Sequence, residues 1–211
     1  YHTMKQLLIF LAALLAAALI SHAQAPQPKL PENIAYFEFN YNVVQPEGRS
    51  YNHNPTFFIY PDTKVDEAGA KELVEKFDMR DVIKENHVSI YVINPVDEKY
   101  DKTADFEGFK EVFDRARSGN LKVIGIGNGA TFINSVLAPT DAAGHIAGIL
   151  TIDGKPGKTP AQSWGVPAYV AGKNAAKSAK PYIAMNKAVK DDDRYVNAEE
   201  ELLAVVVDEN T

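Results

Sequence analysis

Residues 123–134 read VIGIGNGATFIN, and the chemistry they offer belongs to the backbone rather than to side chains. Gly125, Gly127 and Gly129 alternate at the end of an apolar run, and a helix-compatible stretch follows at once. A turn of this kind presents amide N–H groups at the start of a helix, where they can hold an oxyanion or a phosphate. In the pattern G-x-S-x-G the middle residue is a nucleophilic serine. Here it is Gly127, which cannot form an acyl-enzyme, and Asn128 contributes only its N–H. In the pattern G-x-G-x-x-G/A the same turn, as Gly125, Gly127 and Ala130, takes a dinucleotide, with Asp153 as the ribose-binding acid. A third reading is a tight structural turn with no chemistry of its own.

No neighbouring side chain replaces the serine. Thr131 lies one helical turn on, and Ser135, two turns on, stands roughly 12 Å from the apex at a rise of 1.5 Å per residue. Both read as helix-surface or packing residues. His53, His87 and His145 sit in a loop or at strand entrances and read as solvated polar residues, so no residue is assigned as catalytic. The acids of DDDR (191–194) are consecutive and cannot all face one ion, so they read as a solvated loop and no metal site is assigned. Trp164 and Tyr169 read as core or interface anchors, with a sugar platform as the alternative. The basic stretch KNAAKSAK (173–180) offers positive charge to an anionic ligand.

The elements that position these residues follow from hydrophobic period. IAYFEFNYNVV (34–44) alternates apolar and polar residues, as a half-buried antiparallel strand does. TFFIY (56–60), VSIYVIN (88–94), KVIGI (122–126), IAGILTID (146–153), PAYVAG (167–172) and ELLAVVV (201–207) are short apolar runs, the mark of strands buried on both faces. Between them, Ala70, Leu73, Val74 and Phe77 share one helical face, and Phe106, Phe109, Phe113 and Ala116 share another that ends at Gly119. A third helix runs from the glycine turn to about Leu137, and a fourth spans 181–188. Strands alternating with amphipathic helices predict an α/β fold: a three-layer, doubly wound, mostly parallel sheet with an antiparallel leading strand. Loops at the carboxyl ends of such strands are where ligands bind, which marks Asp62, Asn128, Asp153 and Asn174 as a ligand-binding edge.

In this order of elements, residues 34–207 resemble the alpha/beta-hydrolase superfamily, and within it the secreted poly(3-hydroxybutyrate) depolymerase-like and feruloyl-esterase-like proteins of bacteria. The resemblance rests on GIGNG as a modified G-x-S-x-G, on FFIYPD at the oxyanion-loop strand, and on VPAYVAGKN where the acid-bearing strand ends. It implies carboxylic-ester hydrolysis with the nucleophile at the elbow formed by Gly125, Gly127, Asn128 and Gly129. It also implies an acid near Asn174, for which Asp153 is the substitute, and a base after the last strand, beyond Thr211. With glycine at the apex and no acid at Asn174, the expectation is a catalytically impaired relative. The alternatives are a non-catalytic domain that binds a glycan, acyl oligomer or peptide, and a Rossmann-type dinucleotide-binding domain. Against the last, the fingerprint usually opens its domain, whereas two strands and two helices precede it here.

The chain of 211 residues has a net charge of −6, no basic stripe and no fixed repeat, which argues against nucleic acid as a partner. Lys5, the apolar run 7–20 and SHAQAP read as a signal peptide over residues 1–23, with cleavage before Gln24 and residues 1–3 upstream of Met4. About 20 apolar residues are needed to span a bilayer, so no stable span is expected in the mature chain. Residues 24–33 read as a linker and 34–211 as one domain, truncated at its carboxyl end. The absence of cysteine excludes disulfides and fits export to a bacterial periplasm or beyond. No cofactor is assigned. Because the chain stops just after ELLAVVV, that strand is expected to lack its covering helix, leaving Leu203, Val205 and Val207 exposed and an edge open to aggregation.

Overall fold

The computed structural model describes residues 34–42, 53–158 and 164–210. The signal-peptide and linker assignments lie outside the described residues.

The chain runs β1 (Tyr36–Tyr41), β2 (Thr56–Tyr60), α1 (Glu67–Lys76), α2 (Arg80–Glu85), β3 (Val88–Ile93), α3 (Ala104–Ala116), β4 (Leu121–Ile126), α4 (Asn128–Phe132), β5 (Ile146–Ile152), β6 (Ala168–Ala171), α5 (Ala175–Met185), β7 (Val189–Asp191), β8 (Arg194–Val196) and β9 (Val205–Asp208). The nine strands form one mixed sheet in the order β1-β3-β2-β4-β5-β6-β9-β8-β7. Its centre, from β3 to β9, is parallel. β1 pairs antiparallel with β3 at one edge, as its alternating pattern predicts.

Apolar side chains fill both faces. On one, Phe109 and Val112 of α3, Phe132 of α4, and Ala179 and Tyr182 of α5 pack with Phe58, Val123 and Val170 of the sheet. On the other, Ala70 and Val74 of α1 and Met79 before α2 pack with Ile59, Ile90 and Ile124. Helices therefore flank the sheet on both sides, which makes the fold a mostly parallel α/β sheet. β3 is buried along its whole length, which is why it shows no alternation. Asp66 starts α1 by accepting from Gly69 N–H at 2.8 Å. α3 ends on Arg117 in the left-handed conformation, φ +47°, two residues before the expected Gly119.

Three expectations are corrected. The fourth helix begins at Ala175, six residues before Pro181, and carries that proline inside it. The helix after the glycine turn is α-helical only to Phe132 and continues as π-helix over Ile133–Leu137. The last strand is not a bare edge, because the chain from Val189 to Val196 folds back as a hairpin. β8 pairs with β9 through Arg194–Val206 and Tyr195–Val205. Val205 is fully buried and Leu203 and Val207 are partly covered, while Leu202, before the strand, is exposed. The DDDR acids make the exposed hairpin turn, with Asp192 at φ +51°.

Candidate functional site

β2 and β4 are neighbours whose exits diverge: β2 leads to α1 on one face of the sheet, β4 to α4 on the other. A crevice forms between loops that part in this way, and open parallel sheets bind ligands there. In this chain the crevice is bridged. Asp62 Oδ1, two residues beyond β2, accepts from the Asn128 N–H at 2.7 Å, and Asn128 Nδ2 donates to the Asp62 carbonyl at 3.1 Å.

Gly127, at the apex, has φ +54° and ψ −111°, outside the basins open to residues with a Cβ. A Cβ there would lie 2.5 Å from Asp62 Cγ and closer still to its Oδ1. Gly129 serves a different purpose. Its missing side chain lets α4 settle on β2, where a Cβ would come within 2.6 Å of the Tyr60 carbonyl carbon. Gly125 lies in β4 between Tyr60 and Thr151 of the flanking strands.

The other edge residues stand at the carboxyl ends of β5 and β6. Asp153, with φ +57°, donates its N–H to the Ala171 carbonyl, and its Oδ1 accepts from Lys173 N–H at 3.1 Å. Asn174 caps α5, its carbonyl accepting from Ser178 N–H at 2.8 Å. Asp62, Asn128, Asp153 and Asn174 thus all lie on one edge of the sheet, with Asp62 and Asn128 in direct contact. Gly127 N–H donates to the Ile152 carbonyl at 2.9 Å and so ties the two halves of the edge together.

Further polar residues fasten this edge, among them Thr131, read in the sequence only as a helix-surface or packing residue. Thr131 Oγ1 donates to the Gly127 carbonyl at 2.9 Å and accepts from Lys155 N–H at 3.0 Å. Asn134 Nδ2 donates to the Lys155 carbonyl, Tyr182 OH donates to Asn134 Oδ1, and Ser178 Oγ donates to the Gly154 carbonyl. Thr131 is therefore committed as a strut and Ser135 donates to the Thr131 carbonyl, so neither hydroxyl serves the apex. On the other side, Asn94 clamps both backbone polar groups of Val65, and Lys64 Nζ reaches the Val96 carbonyl at 2.7 Å. The sequence signal for these residues was a polar side chain on an otherwise apolar face, which period alone reads as noise.

Beneath the turn, Tyr60 is fully buried and its hydroxyl has no hydrogen-bond partner among the described residues. Burial, with Asp105 nearby, raises its pKa well above the tyrosine range, so it stays neutral. Tyr100 packs on Tyr60 at 5.6 Å and donates to the Ile93 carbonyl.

The three described histidines lie at the opposite edge. His53, His87 and His145 precede β2, β3 and β5, so a strand length of about 20 Å separates each from the turn. His87 Nδ1 meets the Asn42 carbonyl, and the His145 ring packs on Phe113. A groove of about 660 Å³, lined by Tyr41, Val74, Met79, Arg80 and Ile83, opens at that amino edge too, away from the turn. Trp164 precedes β6 and Tyr169 lies within it, donating from its hydroxyl to Asp208. Among the described residues, no group of three or more His, Asp or Glu side chains is placed to hold a metal ion, and no helix is long and apolar enough to cross a membrane.

Chemically, the apex of the turn is glycine and carries no nucleophilic side chain, and the Asn128 N–H, an oxyanion-type donor, is already taken by a carboxylate. The same carboxylate sits on the amide that the dinucleotide pattern would give to a phosphate, opposing an anionic ligand with like charge. The sequence matches no protein-family model, and no curated protein matches it.

Proposed function

We propose that this chain is an exported alpha/beta-hydrolase-like protein of carboxylic-ester-hydrolase descent that does not hydrolyse esters. It holds a small ligand, a glycan or an acyl oligomer, at the carboxyl edge of its sheet. The observation that carries this reading is the Asp62–Asn128 hydrogen bond across Gly127. An acyl transfer site needs a nucleophile at the apex and free N–H groups where the oxyanion develops. Here glycine stands at the apex and a side-chain carboxylate fills the amide. No described histidine lies on that edge to act as base. What remains is a set of exposed acceptors, the carboxylates of Asp62 and Asp153, beside a switch-point crevice, suited to binding without turnover.

The test is a titration followed by amide chemical shifts, using cello-oligosaccharide and 3-hydroxybutyrate oligomer as probes. Saturable shifts at Asp62, Asn128, Asp153 and Asn174 with either probe support the reading. Shifts confined to the groove around Val74 and Met79, or none with either probe at millimolar concentration, contradict it.

A further inference from the structure

Asn128 and Gly129 form the one Asn-Gly pair in the 211 residues. Such a pair is chemically labile in water. The glycine amide nitrogen, with no Cβ beside it, attacks the asparagine side-chain carbonyl carbon with little hindrance. Packing nevertheless imposes both residues at this turn. A Cβ on Gly129 would come within 2.6 Å of the Tyr60 carbonyl carbon, so no larger residue fits beside β2. Asn128 is needed for the bridge, since its Nδ2 donates to the Asp62 carbonyl while its N–H donates to Asp62 Oδ1. Asn128 is only half-buried, so water reaches it. The Gly129 N–H, as one of the first amides of α4, has no acceptor inside the helix to hold its proton. A labile pair is therefore built into the turn, with Asp62 holding the asparagine at both of its nitrogens.

We propose that Asn128 is a self-modification site, converting to aspartate and isoaspartate at a rate set by how often the Asp62 bridge opens. The Gly129 N–H gives its proton to hydroxide, and the nitrogen bonds to Asn128 Cγ. The Cγ–Nδ2 bond then breaks, and Nδ2 leaves as ammonia after taking a proton from water. Water next opens the cyclic imide at one of its two carbonyl carbons. Opening at Cγ leaves aspartate, and opening at the main-chain carbonyl leaves isoaspartate. The attack requires Asn128 to leave its helical conformation and swing Cγ onto the Gly129 nitrogen. One bond to Asp62 pins the main chain against that motion, and the other pins the departing amide. Loss of ammonia makes the change one-way. The new carboxylate has no proton to offer the Asp62 carbonyl, and isoaspartate adds a methylene to the main chain where Thr131 fastens the Gly127 carbonyl. The modified edge thus gains a negative charge and loses its bridge. None of this depends on what the edge binds.

The experiment holds the full chain in mildly alkaline buffer at body temperature for weeks, then digests samples with trypsin and locates any mass gain by fragmentation. The expected result is a gain at Asn128, divided between two chromatographic forms. In Asp62→Ala it accumulates about fivefold faster, the factor by which loss of one exposed, charge-assisted bond shifts an opening equilibrium. In Asp62→Asn, which keeps an acceptor, the rate stays closer to native. Asn134, which precedes Ser135 in the same peptide, reports general loosening. No gain at Asn128 in Asp62→Ala, a rate there equal to native, or an equal acceleration at Asn134 overturns the proposal. Should Asp62→Ala fail to fold, the native chain decides. Its Asn128 N–H has Asp62 as acceptor and exchanges as the bridge opens. Exchange and deamidation at Asn128 must then be slowed by the same factor relative to the chain in urea. Deamidation slowed far more than exchange would mean that the helix is the guard, and would end the proposal.

Discussion

The carboxylate of Asp62 accepts a 2.7 Å hydrogen bond from the amide of Asn128, across 66 residues of sequence and directly over Gly127. Through it the loop after β2 holds the start of α4. A hydrogen bond to a charged acceptor is worth about 1.5–3 kcal/mol when enclosed, and water at this exposed position reduces it to about 1 kcal/mol. Asp62→Ala should therefore lower stability by about 1 kcal/mol, and Asp62→Asn, which keeps an acceptor, by less. Urea midpoints of the two variants measure this; equal losses would mean that the contact is packing rather than hydrogen bonding.

Gly127→Ser restores the serine pattern in name only. The backbone there is unfavourable for a residue with a Cβ, at about 1–3 kcal/mol, and the new Cβ would collide with Asp62. The variant should be destabilised by at least that range and remain inactive on p-nitrophenyl butyrate. Adding Asp62→Gly should recover part of the lost stability, since it removes the obstacle but not the strain. A double variant no more stable than Gly127→Ser would show that Asp62 is not what the Cβ meets.

Asn186, fully buried at the end of α5, holds both backbone groups of Val166: Oδ1 accepts from its N–H at 2.9 Å and Nδ2 donates to its carbonyl at 2.8 Å. Asn186→Ala leaves two buried backbone groups unpaired at the entrance to β6, a loss of about 3 kcal/mol. Thermal unfolding of the variant checks it, and a loss below about 1 kcal/mol would mean that water reaches the site.

How much of this was legible in the sequence depended on period. Continuous runs such as VSIYVI and face-sharing sets such as Ala70–Val74 gave strands and helices because burial on two faces or one leaves a direct mark. The β7–β8 hairpin did not, since Val189, Lys190 and Asp191 are all exposed and carry no apolar pattern. That hairpin is why β9 is paired where a bare edge was expected. At the site, the turn and Gly127 were legible from composition. The bond from Asn128 to Asp62 was not, because pairing across 66 residues leaves no local spacing to read. Nor was the role of Asn134, which looks like a surface residue in a helical register and becomes buried where the helix widens into π geometry.

The central claim is that the turn at Gly127 has no ester-hydrolysing chemistry. The most direct measurement is release of p-nitrophenol from the acetate and butyrate esters by the purified chain, against a heat-denatured control and the Asp62→Ala variant. The account predicts rates equal to the control for both proteins, with no burst phase, because no side chain at the apex can be acylated. Turnover clearly above the control in the native chain would contradict it, and would mean that a nucleophile acts from outside the glycine turn.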